Sequence, residues 1–574
     1  MSVYTTSAAV LEALSEAGVD CLFTNFGSDH TGVLEAIAAA REQGRPIPRI
    51  VTVPAEMVAM SAAHGHAQLS GRAQAVLVHV ECGTQSLGGA IHNAAKGRVP
   101  VLVLAGTSPA TQEGELRGSR NEFIQWIQDV ADQRGLVRGY VNYDHEIRFG
   151  SNAKQIVHRA FQIAHSDPRG PVYLMASREV LEAETARVEI RTDHWRAVAP
   201  GALPAEAAAG IARSLLEARR PLVVTSFMGR QPEAVAALQR LCGELAVGVL
   251  ESVPSYVNYP TTEALYLGCQ WNEPRQNADL ARADFIVVVD SDVPWIPAVS
   301  RPRPEARIVH IDPDPLKTRM PLWYIPAEAS YRADAAIALG QILEAARGLS
   351  RGASVSAIAE RRAHYAVRHD ALERELADDE RPEADRITPE HLTAAVREAV
   401  GEEAVVMSEA VTNFHVVSRH MRRTRPGTLF SSGGGSLGWC GGAAVGAKLA
   451  RPDALVVALC GDGTYLFSQP STVHWMARRY STPFLQVIYN NGGWRAPRAG
   501  VLGMHPEGAA SRATALDTEF APDPDYGGIA AAAGGAFATT ISRPDEIVPA
   551  LQEALEAIRN EGRSAVLDAR VSQP

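Results

Sequence analysis

Lysine is scarce in this chain, and the overall charge is negative. The 574 residues include four lysines among 55 basic residues, and acidic residues outnumber the basic ones, which gives a net charge of −10. Proteins that bind nucleic acid usually carry a basic excess, so this balance argues against that class. The shortage of lysine also leaves few groups for Schiff-base chemistry or for binding phosphate through ammonium groups.

Signals for membrane insertion, export and cysteine chemistry are also missing. No apolar run reaches the roughly 18 to 20 residues that a membrane span requires. The N-terminal segment lacks the basic stretch and apolar core of a signal peptide. The six cysteines are scattered and form no CxxC pair, which excludes the usual zinc and disulfide patterns. We therefore expect a cytoplasmic protein that binds neither membrane nor nucleic acid.

Short apolar segments alternate with segments of helical periodicity along most of the chain. These apolar segments are nearly continuous rather than alternating, which is typical of strands that are covered on both faces in parallel sheets. Polar or proline-rich stretches at 186–204 and 346–388 interrupt the pattern. They divide the chain into three blocks, each long enough for one domain. The sequence therefore predicts an α/β protein with three doubly wound parallel-sheet domains.

The segment 427–494 contains two strands that both end in polar residues. One strand ends at 461–463 (Gly-Asp-Gly) and the next at 490–493 (Asn-Asn-Gly-Gly). The carboxyl ends of parallel strands meet at one edge of the sheet, so the side chains of Asp462 and Asn491 can reach one point. A carboxylate and an amide oxygen suit Mg²⁺, and the glycines with the following helix suit a phosphate. The segment therefore predicts a site for magnesium and a phosphorylated ligand.

An alternative interpretation uses the glycines of the same segment. Gly433, Gly435 and Gly438 form a GxGxxG pattern, and Asp462 follows where a ribose-binding acid belongs. This pattern predicts a dinucleotide-dependent oxidoreductase that uses residues 433–438. It leaves the asparagine pair unexplained, and a ribose contact does not require an acid between two glycines. A third interpretation is that these glycines serve only tight turns.

The Gly-Asp-Gly motif followed 26 residues later by an asparagine pair resembles the diphosphate-binding signature of thiamine-diphosphate (ThDP) enzymes. The resemblance is to the acetolactate synthase, pyruvate decarboxylase and benzoylformate decarboxylase group. It implies that Asp462, Asn491 and the backbone carbonyl of Gly493 hold Mg²⁺. The spacer is slightly longer than usual in the family, so the choice between Asn490 and Asn491 stays open.

The resemblance also implies the residues that contact the cofactor. Glu56, which follows a strand and begins a helix of small residues, takes the position of the family's catalytic glutamate. An isolated glutamate there would only complement the helix dipole. Leu437 takes the position of the bulky apolar residue beneath the cofactor. The other residues implied to bind the cofactor are Gly435, Ser436, Gly461, Gly463, Thr464, Asn491 and Gly493.

Two further residues resemble substrate-binding positions of benzoylformate decarboxylase. Ser28 matches a serine that contacts substrate, and His79 matches an active-site histidine, a residue suited to moving protons near neutral pH. Other positions depart from the family. Phe26 replaces a proline, residues 82–85 replace a Gly-Pro-Gly loop, and 494–497 lack the glutamate of pyruvate decarboxylases. The substrate therefore stays open.

The resemblance extends over nearly the whole chain. It implies a pyrimidine-binding domain at 1–185, a middle domain at 190–345 and a diphosphate-binding domain at 375–574. In the family, the first domain of one subunit and the last domain of another enclose the cofactor. This arrangement implies a homodimer or homotetramer with active sites at subunit interfaces.

The middle domain carries no unambiguous nucleotide motif. Its segment 307–315 resembles the strand and turn that hold FAD in acetolactate synthases, or the CoA nucleotide in oxalyl-CoA decarboxylase and 2-hydroxyacyl-CoA lyases. FAD or CoA is therefore conceivable but not indicated. We expect the basic residues of this region on a solvated surface: Arg301, Arg303, Lys317 and Arg319.

Together these features imply a ThDP- and Mg²⁺-dependent lyase, carboligase or decarboxylase, similar to acetolactate synthase. Its substrate would be a 2-oxo acid or a 2-hydroxyacyl compound. One alternative is an enzyme similar to 2-hydroxyacyl-CoA lyase or oxalyl-CoA decarboxylase. Another, from a different class, is the dinucleotide-dependent oxidoreductase that uses 433–438. A regulatory subunit that binds cofactor without catalysis is a further alternative, which the presence of Glu56 disfavours.

Overall fold

The structure is a computed structural model that describes residues 3–272, 274–349 and 355–572. Its strands form three six-stranded sheets, and every pair of neighbouring strands within a sheet is parallel. Helices flank the sheets, because strands as apolar as these must be covered on both faces. The prediction of three doubly wound α/β domains is confirmed, and each of the three predicted ranges contains one sheet.

The first sheet has the strand order β2-β1-β3-β4-β6-β5. Its strands are β1 (Cys21–Thr24), β2 (Arg49–Thr52), β3 (Gln74–Val78), β4 (Val101–Thr107), β5 (Tyr143–Glu146) and β6 (Val172–Ser177). Its helices are α1 (Thr6–Glu16), α2 (Thr31–Glu42), α3 (Glu56–Ser70), α4 (Val80–Ser86), α5 (Gly88–Lys96), α6 (Ile124–Ile127), α7 (Ala153–His165) and α8 (Arg178–Glu182). The order reverses between β1 and β3, so a ligand crevice belongs at the carboxyl ends of these two strands.

The middle sheet has the order β12-β11-β10-β7-β8-β9, with its reversal between β7 and β10. Its strands are β7 (Pro221–Thr225), β8 (Gly248–Ser252), β9 (Tyr266–Gln270), β10 (Phe285–Val289), β11 (Arg307–Asp312) and β12 (Ala329–Arg332). Its helices are α9 (Ala205–Glu217), α10 (Pro232–Leu245), α11 (Ala278–Arg282), α12 (Ala335–Gly348) and α13 (Val355–Asp379). The buried Arg361 anchors α13 here by donating hydrogen bonds to the carbonyls of Leu215, Ala218 and Leu245.

The third sheet repeats the topology of the first, in the order β14-β13-β15-β16-β18-β17. Its strands are β13 (Val405–Glu409), β14 (Leu429–Phe430), β15 (Val456–Gly461), β16 (Leu485–Asn490), β17 (Phe537–Ile541) and β18 (Ala565–Arg570). Its helices are α14 (Pro389–Val400), α15 (Phe414–His420), α16 (Cys440–Ala450), α17 (Asp462–Phe467), α18 (Pro470–Arg479), α19 (Arg495–Met504), α20 (Ala509–Arg512), α21 (Tyr526–Gly534) and α22 (Ile547–Asn560). The reversal here lies between β13 and β15.

Helices α3 and α16 join the first and third domains through small residues. A Cβ atom on Gly65 would lie 2.3 Å from the carbonyl oxygen of Ala443, and one on Gly446 would lie 1.9 Å from that of Ala62. Only glycine lets the two backbones approach this closely. Side chains from both domains consequently share one continuous apolar core.

Among the residues that the structure describes, no helix has the length and apolar character needed to cross a bilayer.

We expect Gly446→Ala to destabilise the protein, because the added methyl group would overlap the backbone of α3. Overpacking of this kind typically costs about 1 to 3 kcal/mol. Gly210→Ala is the matched control, since Gly210 lies within α9 with open space around its Cβ position. There the substitution should stabilise the helix by about 0.5 to 1 kcal/mol. Thermal melting measures the stability of both variants. Equal shifts of the melting temperature in the two would contradict the claim that the contact between α3 and α16 requires glycine at position 446.

Candidate active site

Asp462 lies at the carboxyl end of β15, beside the strand-order reversal of the third sheet. Its two carboxylate oxygens accept hydrogen bonds from the backbone N–H groups of Gly463, at 2.8 Å, and Gly493, at 2.7 Å. The side chain is buried, and burial raises the pKa of this carboxyl above its ordinary value. A cation bound here would offset that desolvation cost.

The two asparagines at the end of β16 have different environments. The side chain of Asn490 donates to Asp568 at 2.9 Å and accepts from the N–H of Gly492 at 3.1 Å, so both of its ends are engaged. Asn491 is also buried, but its Oδ1 atom has no hydrogen-bond partner among the described residues. A buried acceptor without a partner is costly unless a ligand satisfies it. The geometry therefore favours Asn491 over Asn490 as a metal ligand.

Gly493 holds the backbone beside Asp462 in a conformation that other residues rarely adopt. Its φ angle is +140°, and a Cβ atom there would lie 2.1 Å from the carbonyl oxygen of Thr518. Both features require glycine. This conformation positions the N–H group that binds the Asp462 carboxylate.

A cavity of about 280 Å³ opens at this edge of the third sheet. Its walls contain most of the residues predicted to bind cofactor or metal, namely Leu437, Gly461, Asp462, Gly463, Thr464, Asn491 and Gly493. Gly435 and Ser436 line a neighbouring cavity of about 290 Å³ instead. Their N–H groups donate to His92 and Asn93 of α5, respectively. The glycine segment 433–438 therefore packs on the first domain in this chain.

The other predicted residues lie at the carboxyl edge of the first sheet. Ser28 follows β1, His79 follows β3, and Glu56 begins α3. The Nδ1 atom of His79 lies 2.5 Å from Asp29 Oδ1, and this hydrogen bond raises the pKa of His79, with a further contribution from the nearby Glu56. The structure thus brings His79 close to Glu56 at the strand-order reversal of this sheet.

Sequence reasoning missed two residues of this group. Asp29 lies next to the predicted Ser28 and binds His79, and the side-chain oxygen of Gln128 accepts from Nε2 of His79 at 3.1 Å. An acid in the turn after a buried strand was a usable signal for Asp29. Nothing in the sequence around Gln128 indicates its role, because it comes from the long connection after β4.

Glu56, His79 and Ser28 do not line the cavity at Asp462. All the residues that line the cavity at Asp462 fall between 410 and 497, in the third domain. Glu56 and His79 therefore face a separate edge of the same chain.

A buried network of charged side chains lies at the corresponding edge of the middle sheet. Arg98, from the first domain, binds Asp292 at 2.6 Å and Asp312 at 3.2 Å. Lys317 binds the same two carboxylates at 2.8 and 2.7 Å. Arg230 adds contacts to Asp167 and Asp290. These side chains occupy part of the edge where a sheet of this order binds a nucleotide, and a cavity of about 290 Å³ opens beside them, lined in part by Ser226, Phe227 and Asp292.

The expectation of a solvated surface was wrong for Lys317. Its side chain is 3% exposed, because the two aspartates and Arg98 enclose it. Arg301, Arg303 and Arg319 are exposed as expected.

Comparisons with known proteins agree with this architecture. Residues 4–136 match the family profile "Thiamine pyrophosphate enzyme, N-terminal TPP binding domain", and residues 410–569 match "Thiamine pyrophosphate enzyme, C-terminal TPP binding domain". Thiamine pyrophosphate is another name for ThDP, and the two matches together cover slightly more than half of the chain. The chain belongs to the thiamine pyrophosphate enzyme family, and it is a ThDP-dependent enzyme of the lyase and transferase type.

Its relatives include decarboxylases and carboligases. The chain is 27% identical to benzoylformate decarboxylase from Pseudomonas aeruginosa, over 87% of this chain and 88% of that protein. It is 23% identical to acetolactate synthase from Bacillus subtilis, over 96% and 90% of the two chains. The solved structure of the 4-hydroxybenzoylformate decarboxylase of Rhodococcus jostii RHA1 superposes with a TM-score of 0.78 at 21% identity, covering 99% of each chain. That structural likeness concerns the fold.

Proposed function

We propose that this protein uses ThDP and Mg²⁺ to cleave or form a carbon–carbon bond next to the carbonyl group of a 2-oxo acid. The observation that carries the proposal is the unpartnered, buried oxygen of Asn491 beside Asp462, in a cavity at the strand-order reversal of a ThDP-binding domain. Relatives named benzoylformate decarboxylase and 2-ketoarginine decarboxylase support the substrate class.

The residues around Asp462 fit a magnesium ion. Asp462 offers a carboxylate, Asn491 an amide oxygen, and Gly493 a backbone carbonyl, which are the hard oxygen ligands that Mg²⁺ prefers. No group of three or more His, Cys, Asp or Glu residues suited to a metal occurs within the described ranges. That finding is consistent with a site that uses a single carboxylate together with amide, backbone and cofactor oxygens.

Bound ThDP supplies an electron sink for the electron pair released when the carbon–carbon bond breaks. The side chains of the protein orient and activate the reactants. Glu56 would exchange a proton with the pyrimidine ring nitrogen, and Leu437 would support the cofactor from below. Gly461, Gly463 and Thr464 would contact its diphosphate. His79 and Ser28 would hold the oxygens of the substrate.

Glu56→Gln should abolish most turnover while the protein still folds and binds ThDP. The amide cannot exchange the proton that activates the cofactor, and loss of such a group costs about 100-fold or more in kcat. The measurement is product formation from a panel of 2-hydroxyacyl-CoA compounds and of aromatic and aliphatic 2-oxo acids, benzoylformate among them, with and without an acceptor aldehyde.

Glu35→Gln, on the exposed face of α2, is the matched control and should retain wild-type turnover. Wild-type turnover in Glu56→Gln would refute the role of this glutamate. A panel that yields product only from 2-hydroxyacyl-CoA compounds would replace the 2-oxo acid proposal with the acyl-CoA alternative.

Asn491→Ala should weaken Mg²⁺-dependent binding of ThDP, because it removes a ligand oxygen. Asn490→Ala should instead lower the melting temperature, since it removes the side-chain donor to Oδ1 of the buried Asp568. Calorimetric titration of ThDP at several Mg²⁺ concentrations, combined with thermal melting, separates the two effects. A reversed pattern would identify Asn490 as the ligand.

Each complete active site should require two copies of this chain. The cavity at Asp462 lacks Glu56, and both site edges expose large apolar side chains that a partner would cover. These side chains are Phe123, Trp126 and Ile127 near His79, and Val411, Phe467 and Trp494 near Asp462. Exposed apolar groups of this size mark interaction surfaces. We therefore propose a homodimer, or a homotetramer built from such dimers, in which Glu56 of one copy meets Asp462 of the other.

Co-expression of two inactive variants tests this arrangement. Glu56→Gln and Asp462→Asn should each be inactive alone. In mixed dimers, one site collects both substitutions and the other carries none, so equal co-expression should restore about a quarter of wild-type activity. If each site were built from a single chain, every site would keep one defect and the mixture would stay inactive.

A further inference from the structure

Asp29 and His79 form a close pair at the strand-order reversal of the first sheet. Asp29 Oδ1 lies 2.5 Å from the Nδ1 atom of His79, while Asp29 Oδ2 accepts from the N–H of Val80 at 3.2 Å. His30 approaches the same carboxylate at 3.2 Å from the other side. The carboxylate is 3% exposed and thus held on several sides, which fixes the orientation of the imidazole ring.

Two glycines provide the space that this pair occupies. A Cβ atom on Gly27 would lie 1.9 Å from Nδ1 of His79, and one on Gly106 would lie 1.6 Å from Oδ2 of Asp29. Any other residue at either position would displace the ring or the carboxylate. The backbone after β1 and the backbone of β4 therefore pack directly against the pair, one on each side.

The backbone next to His79 is strained. Val80 has a φ angle of +33°, which is unusual for a β-branched residue, and its N–H group is the one that binds Asp29. Strained backbone of this kind is concentrated at functional sites. At this position, the strain serves to aim a donor at Asp29.

Several groups set the charge on His79. Asp29 and His30 face it from the turn after β1, Glu56 from α3, and Gln128 from the connection after β4. The hydrogen bond to Asp29 comes first among the influences that raise the pKa of His79. Although burial alone raises the pKa of Asp29, the neighbouring His30 and His79 hold it below its ordinary value, so the carboxylate stays ionised.

We propose that Asp29 is the positioning residue for His79: it binds the Nδ1–H group, fixes the orientation of the ring and leaves Nε2–H to donate to a carboxylate or carbonyl oxygen of the substrate. The side-chain oxygen of Gln128 lies 3.1 Å from Nε2 and marks where such an acceptor binds. The inference rests on the proposed function and adds Asp29 to the residues that act on the substrate through His79.

Asp29→Asn tests the proposal, because the amide keeps the shape of the side chain but loses its charge. Turnover should fall on the order of tenfold, less than the roughly 100-fold expected for His79→Ala, since the ring remains in place. With the carboxylate gone, the pKa of His79 falls. The proposed role requires protonated His79, so turnover falls as pH rises through the pKa of His79. In the variant this fall should occur at lower pH.

Asp20→Asn is the matched control. Asp20 lies 4.0 Å from the buried His66 at the opposite edge of the same sheet, so this variant also removes a carboxylate beside a histidine. Its pH profile should match the wild type. Asp29→Glu retains the charge and should recover part of the wild-type profile, which a purely structural role for Asp29 would not predict.

A titration of the histidine side chains by nuclear magnetic resonance gives a readout that does not depend on turnover. In the wild type, His79 should titrate at higher pH than in Asp29→Asn, with its signal assigned by its loss in His79→Gln. An unchanged His79 titration or an unchanged pH profile in Asp29→Asn would overturn the proposal. If Asp29→Asn does not fold, two other measurements test the proposal. A His79 titration in Asp29→Glu close to that of the wild type and a hydrogen-bonded Nδ1 proton signal in the wild type would support it, and the absence of both would overturn it. A wild type without ThDP-dependent turnover but with the expected titration would overturn the proposed function alone.

Discussion

The close contact between α3 and α16 is the constraint on which the rest of the structure depends. Each helix begins at, or a few residues after, a residue proposed to contact the cofactor: Glu56 is the first residue of α3, and Leu437 lies three residues before α16. Glycines at the crossing bring the two backbones together, so the relative position of both site edges is fixed by backbone packing rather than by flexible side chains. In the proposed dimer, each chain contributes one half to each of two sites, so a rigid pair of domains lets both sites form together.

The three sheets illustrate how one architectural rule leads to different outcomes. The first and third sheets share a strand order, and each has its polar residues at the reversal point, namely Asp29 and His79 in one and Asp462 in the other. The middle sheet has the order typical of nucleotide-binding domains, but Arg98 from the first domain enters its crevice. A buried network of this kind makes the crevice a contact between domains. The fold alone therefore does not decide whether such a crevice binds a ligand.

Much of this arrangement could be predicted from the sequence, because local signals carried it. Continuous apolar strands indicated the three parallel sheets, and the polar residues at the ends of β15 and β16 indicated Asp462 and Asn491. Contacts between distant residues could not be predicted in this way. His79 and Gln128 are 49 positions apart, and Arg98 and Asp312 are 214 apart. The burial of Lys317 depends on that second contact, so neighbouring residues in the sequence gave no indication of it.

The positions of the four lysines show how the scarcity of lysine is compatible with the proposed site. Two of the four lysines are buried in ion pairs, Lys154 with Glu12 and Glu16, and Lys317 with Asp292 and Asp312. None lines the cavity at Asp462, where Arg495 is the basic residue. A lysine there would compete with a metal ion for the carboxylate of Asp462. The proposed site instead leaves the negative charge of a diphosphate to Mg²⁺, backbone N–H groups and one guanidinium. An acidic, lysine-poor chain can therefore bind a highly charged cofactor.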